Sequence, residues 1–276
     1  MTSLLRADFQ RIMKDKLLMV MGILAIGFAA VSPLLYALLF NGVGIDPSEE
    51  ELVSYYINAK SQFFSSFAFG SNVGLIAPVL LAIALCKDFT YGTVRNKIIS
   101  GKSRTEIFMS LFITCSAIFI GVMLLHGFAT LGISLIFFEY QPDPFTLKDF
   151  GYMMESLGFV LLTLLCVSAF LSWLCASAKN VGLVIVFFIA ATFLLSLAAG
   201  ILQIIISVLE VTGGNERTIS ILEFINRINL CNATTQIGAG DHYTLEDTLY
   251  LVLPSVIGIL SFLSLGLWKF NKKDLK

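Results

Sequence analysis

Six apolar stretches, each near or beyond the length a helix needs to cross a lipid bilayer, restrict this chain more than any other feature. They run Leu17–Phe40, Phe63–Cys86, Ile107–Phe138, Leu157–Ala176, Val181–Leu209 and Leu249–Trp268. About 20 apolar residues carry a helix through the hydrocarbon layer, and a helix satisfies its own backbone hydrogen bonds where no water can. Of the 276 residues 57% are hydrophobic and 13% charged, and mean hydropathy is +0.87. An ordinary soluble domain carries about 25% charged residues, and a water-soluble fold of this size cannot hide so much apolar surface. The expectation is an all-α integral membrane protein, a single transmembrane domain over residues 1–276 with six spans.

The first stretch exceeds the roughly 7–15 residues of a signal h-region and lacks a clear small-residue cleavage site, so it reads as a retained span. Pro33 and Pro78 are expected to kink the first two spans, and the third, with Gly121, Gly127 and Gly132 along it, is long enough to tilt. Orientation follows from lysine and arginine. Fourteen of the eighteen fall on one side: Arg6, Arg11, Lys14 and Lys16; Lys87, Arg95, Lys97, Lys102 and Arg104; Lys179; and Lys269, Lys272, Lys273 and Lys276. Lys60, Lys148, Arg217 and Arg227 fall on the other, where Asp46, Glu49, Glu50 and Glu51 also cluster. Both termini are therefore expected in the cytoplasm, which an even number of spans requires.

Three segments between the spans carry a pattern. Residues 3–16 place Leu5, Phe9, Ile12 and Met13 on one helical face, with Arg6, Gln10, Arg11 and Lys14 elsewhere, as an amphipathic helix lying in the membrane interface would. Residues 87–106 form the most informative connection. Thr93 to Ser100 reads as a short helix with Val94 and Ile98 on one side, Gly101 as a left-handed stop, and Ser103-Arg-Thr-Glu106 as a capping box that starts the third span. A basic turn that only obeys the charge rule is the plainer reading of the same residues. Residues 210–248 form a long outer connection. Gly213-Gly214-Asn215 marks a turn there, Ile221, Phe224, Ile225 and Ile228 recur at helical spacing, and Gly238-Ala-Gly-Asp241 breaks the pattern.

The chemistry of an enzyme is missing from the pattern. Gly101-Lys102-Ser103 resembles the end of a phosphate-binding loop, but Asn96 stands where that motif needs its first glycine, and no buried strand leads into it. The two histidines, His126 and His242, and five scattered cysteines make no metal-ligand or disulfide pattern, so no metal site is expected. Spans one to five hold no Asp, Glu, Lys or Arg in their interiors. His126 and Gln203 are the polar side chains to weigh there, as hydrogen-bonding links between helices or as groups lining a pathway.

The connection between the second and third spans resembles that of ABC-2-type transporter permeases. Their pattern is an acidic residue, Gly-Thr four positions on, an apolar helix, and a Ser-Arg pair. Here those positions hold Asp88, Gly92, Thr93, Val94, Ile98, Ile99, Ser103 and Arg104. The stretch from Gly92 to Gly101 is similar to small bacterial permeases of the bacitracin- and lantibiotic-resistance type, as is the tail Trp268-Lys-Phe-Asn-Lys-Lys-Asp-Leu275. Two positions depart from the pattern: Asp88 stands where glutamate is commoner, and Leu111 where a lysine is usual.

The resemblance implies an ABC-2, type V exporter-like permease fold in the bacterial cytoplasmic membrane, exporting a hydrophobic or amphipathic substrate such as an antimicrobial peptide, toxin or drug. It implies two permease subunits, identical or related, docked on two separate ATPase subunits. ATP and magnesium would be held by those partners, with no cofactor in this chain and no nucleic acid involved. Asp88, Gly92, Thr93, Val94, Arg95, Lys97, Ile98 and Arg104 would couple the two proteins, Val94 and Ile98 by apolar contact and Arg95, Lys97 and Arg104 by charge. The competing classes are a stand-alone channel or ion-coupled secondary transporter, which predicts mid-membrane carboxylates and inverted repeats, and a non-transport membrane component such as a receptor or assembly subunit.

Overall fold

The structure is a computed structural model and describes residues 1–43, 57–69, 72–90, 92–178, 180–239 and 243–272. The acidic group Asp46, Glu49, Glu50 and Glu51, together with Lys179, Asp241, His242, Lys273 and Lys276, lies outside the described residues. Every regular element among them is a helix: α1 (Thr2–Met13), α2 (Lys16–Val43), α3 (Ala59–Ser65), α4 (Asn72–Thr90), α5 (Thr93–Ile99), α6 (Arg104–Phe137), α7 (Leu147–Ser177), α8 (Val181–Thr212), α9 (Glu216–Ile228), α10 (Leu230–Ala239) and α11 (Leu245–Lys272). Six of them, α2, α4, α6, α7, α8 and α11, are long and apolar enough to cross a membrane, and the chain is a multi-pass helical membrane protein.

Local sequence sets most of the boundaries. Ser103 caps α6 by accepting from the Glu106 N–H at 3.2 Å while Glu106 accepts from the Ser103 N–H at 3.1 Å, the expected capping box. Gly101 closes the turn before it at φ +85, and Gly213 ends α8 at φ +71, both in the left-handed region that glycine enters without a Cβ clash. Pro33, Pro78 and Pro254 lie inside continuous helices.

Four boundaries differ from the reading of the sequence. The apolar run Phe63–Cys86 is not one helix, because α3 ends at Ser65 and α4 begins at Asn72, whose φ of 43 marks a reversal that hydropathy does not register. The fourth span starts ten residues before Leu157, at Leu147, because Thr146 and Asp149 build a capping box ahead of the apolar run. The last span likewise starts at Leu245, with Thr244 accepting from the Asp247 N–H at 3.2 Å. The connection 210–248 is mostly helical. Its expected amphipathic segment is α9, and α10 after it has no counterpart in the sequence reading. Cys231, Ala233 and Ile237 bury α10 against α3, α7 and α8, a tertiary placement that its mixed polar sequence does not signal.

In lipid, helices associate through close packing and internal hydrogen bonds more than through expulsion of apolar surface from water. The centre of the bundle follows that rule. Cys115 of α6 meets Ser168 and Ser172 of α7, Cys175 of α7 meets Cys86 of α4, and Thr163 and Ser168 return their hydroxyls to the carbonyls of Phe159 and Leu164 at 3.0 and 2.8 Å. Around the α6–α7 pair, α2 packs on α6 and α11 on α7. Helices α8 and α11 make almost no direct contact with each other and leave an open cleft between them.

Gly266 of α11 shows how tight the α6–α11 contact is. A Cβ there would stand 2.3 Å from Cζ of Phe108, whose ring is itself enclosed by Leu4, Val94, Ile107 and Phe270. Gly266→Val is expected to cost about 1–3 kcal/mol through overpacking. Thermal unfolding of the purified protein in detergent reads this as a lower midpoint with unchanged helix content.

Candidate functional site, a buried ion network under the short helix

The end of the bundle that carries residue 1 and the last turn of α11 also holds α5, the short helix between the second and third spans. Gly92 starts it at φ +71. Val94 is buried with Leu4, Ile107, Phe108, Ala176 and Phe270, and Ile98 packs on the same cluster. The apolar side of α5 is therefore spent inside this chain, not offered to a partner as the resemblance implies.

Beneath α5 four charged side chains meet. Lys97 reaches Asp8 of α1 at 2.6 Å and Asp88 of α4 at 3.2 Å, and Arg11 of α1 pairs with Asp88. Asp8 also accepts from the Ser110 hydroxyl of α6 at 2.7 Å. Asp8 and Asp88 are 5% and 2% exposed, so two carboxylates sit where an isolated one would be very costly. Two cations balance them, and the network ties α1, α4, α5 and α6 into one plate. Burial pushes Lys97 and Arg11 below their ordinary values, partly offset by Asp8 in both cases; Arg11 stays charged across the working range.

Most of this was hidden in the sequence reading. The apolar face assigned to residues 3–16 included Phe9 and Met13, which the structure leaves exposed, whereas the inward stripe is Leu4, Asp8 and Ile12. A charged residue flanked at i−4 and i+4 by apolar ones was the available signal. Lys97, which the resemblance sets against a partner's acidic residues, and Asp88, a member of the same coupling set, are both turned inward. Arg104 is also committed within the chain: its guanidinium donates to the carbonyls of Phe270 and Asn271 at 3.1 and 3.0 Å, capping the end of α11. Arg104→Ala is expected to cost about 1.5–3 kcal/mol, the worth of charged hydrogen bonds, read as a lower unfolding midpoint.

What α5 leaves outward is Arg95, Asn96, Ile99 and Ser100, with Ile99 73% exposed. Thr93 is half-buried near the start of the helix. The exposed surface of α5 is therefore Ile99 beside Arg95, on a helix held from below by the ion network.

A second ion pair fixes the junction of α1 and α2. Asp15 accepts from Lys87 at 2.6 Å and from the Leu17 N–H at 3.1 Å. Partial burial opposes ionisation of Asp15, but these hydrogen bonds and the charges of Lys87 and Arg11 outweigh it and hold its value below the usual 3.8. A depressed carboxylate stabilises the fold above its unfolded value and stops doing so as pH falls through its folded one. The difference in unfolding midpoint between the natural protein and Lys87→Met is expected to be full above pH 3.8 and to shrink below it.

The two polar residues assigned to the spans act as links between helices. Nδ1 of His126, buried in α6, lies 2.8 Å from the carbonyl of Ala25 in α2. Gln203, near the far end of α8, accepts from the Asn226 amide of α9 at 3.2 Å. The five cysteines are buried free thiols.

A family model described as "Protein of unknown function (DUF2705)" matches residues 17–276, and the chain belongs to that family. No curated protein and no solved structure matches it.

Proposed function

We propose that this member of the DUF2705 family is the membrane permease subunit of an ABC-2-type ATP-binding cassette transporter, exporting a hydrophobic or amphipathic substrate across the bacterial cytoplasmic membrane. The observation that carries the reading is α5, a helix of 7 residues set between two spans and held from beneath by α1 through a buried, charge-balanced network. A helix that only connected two spans would need no such mount. A helix that receives force from another protein does, because a loose lever transmits nothing. ATP and magnesium belong to two partner ATPase subunits, and a second copy or a related permease completes the pore. Movement of α5 then shifts the spans it joins as rigid bodies.

The docking face in this proposal is the outward set Arg95, Asn96 and Ile99, with Gly92 and Thr93 shaping the start of the helix. Asp88, Val94, Lys97, Ile98 and Arg104 act by positioning it. Tagged full-length chain, extracted from its native membrane in mild detergent, is expected to bring down a nucleotide-binding polypeptide and ATP turnover that vanadate inhibits. Substrate movement by this chain reconstituted alone, driven by an ion gradient, would overturn the proposal in favour of a secondary transporter.

A further inference from the structure

The cleft between α8 and α11 has a volume of about 1230 Å³ and an almost wholly apolar lining. Helix α7 forms its floor, with Cys166, Val167 and Phe170. Toward the terminus-bearing end it is limited by Phe262, whose ring packs at a tilt against Phe170 at 5.0 Å and Trp173 at 5.7 Å. At the other end α9 bridges the two walls. It is fixed to α8 by the Asn229 amide on the Leu195 carbonyl at 2.8 Å, and to α11 by Phe224 edge-on to Tyr250 at 5.7 Å and Arg227 on Asp247 at 3.2 Å. The lateral side stays open: Leu194 on α8 and Ile257 on α11 are 62% and 59% exposed.

One charged residue lines this space among the described residues, Glu246, in the first turn of α11. Among the described residues its carboxylate meets no hydrogen-bond or ion-pair partner, whereas the neighbouring Asp247 accepts from Thr244 and pairs with Arg227. Arg227, the nearby cation on α9, is taken up by Asp247 and by the Tyr250 ring, 5.5 Å from its guanidinium carbon. Glu246 and Phe262 stand sixteen residues apart on one helix, about 24 Å at 1.5 Å per residue, most of a roughly 30 Å hydrocarbon layer. The cleft is thus a long apolar slot, open sideways to lipid, with a lone anionic group at one end.

We propose that this cleft binds a cationic amphiphile, its hydrocarbon chain laid between α8 and α11 and its positively charged head against Glu246. An anionic amphiphile of equal chain length gains the same apolar contact and meets a like charge instead, so the site discriminates by head group. The inference does not depend on an ATPase partner, because the cleft and its charge belong to this chain alone.

The chain has 2 tryptophans, Trp173 and Trp268. In Trp268→Phe the remaining indole, Trp173, lies just outside the lining, packed against Phe262 at 5.7 Å, within short quenching range of a chain bound in the cleft. The experiment titrates this purified full-length variant in detergent with a dibrominated octadecyl trimethylammonium, and separately with the sulfonate carrying the same brominated chain, reading fluorescence quenched by bromine at short range. Saturable quenching is expected, half-complete at an amphiphile mole fraction about tenfold lower for the ammonium, equivalent to about 1.4 kcal/mol. Adding Glu246→Gln should erase the preference and retain quenching. Adding Ala198→Phe, at an exposed lining position that burdens no packing, should weaken quenching by both. Equal quenching by the two amphiphiles before Glu246 is changed, a preference that survives Glu246→Gln, or quenching indifferent to Ala198→Phe would each overturn the proposal.

Discussion

Lys97→Met should be among the most damaging single changes in the chain, at a cost of about 3–5 kcal/mol, the range for breaking a buried ion pair by removing one member. The substitution fills nearly the same volume, so the loss is electrostatic. Asp8 and Asp88 would remain buried with Arg11 as the remaining cation of the network, and one carboxylate would have to take up a proton or pull away. Either outcome frees α5 from α1. Thermal unfolding in detergent should show a much lower midpoint, and limited proteolysis should cut within residues 92–103 where the natural protein resists. Asp8→Asn combined with Lys97→Met should recover part of the loss, because the pair is coupled and a double-mutant cycle reads the coupling directly. A Lys97→Met protein as stable and as protease-resistant as the original would show that the network holds nothing.

Arg95→Glu together with Ile99→Glu should have the opposite profile: transport lost, stability untouched. Both side chains project from α5 and take no part in the apolar cluster under it. Central, desolvated side chains at protein interfaces are commonly worth about 2 kcal/mol or more each, so docking should weaken by a hundredfold or more. The checks are the unfolding midpoint, expected to stay within about 0.5 kcal/mol of the original as for surface changes generally, and ATP-driven export, expected to vanish. Normal export by the doubly substituted protein would remove α5 from the docking role. The contrast with Arg104→Ala, which acts on folding, separates the two arginines that the sequence pattern groups together.

The six spans were legible because crossing lipid imposes a length and a polarity that no other structure shares, and α5 and α6 were legible because Gly101, Ser103 and Glu106 are local signals read by the backbone nearby. The capping boxes at Thr146 and Thr244 are the same kind of signal, overlooked because they precede the apolar runs. The ion network was not legible in that way. Asp8, Asp88 and Lys97 are each ordinary in their own segment, and only the packing of α1 across α4, α5 and α6 shows that they converge. For the same reason the contact face of α5 was assigned to its apolar side. An apolar stripe states that something covers it, and here the cover is Leu4, Phe108 and Phe270 of the same chain. Helix α10 lies at the limit of this approach, since its stability comes from burial against α3, α7 and α8 and not from a pattern of its own.

A photo-activatable cross-linking side chain placed at position 99, and separately at position 94, in the full-length protein in its native membrane tests the central claim most directly. Position 99 should form an adduct with a nucleotide-binding polypeptide, and position 94, enclosed in the chain's own core, should link only within the chain. Absence of such an adduct at 99 beside efficient internal linkage at 94, or labelling of position 99 by a membrane-impermeant reagent from outside the cell, would contradict it.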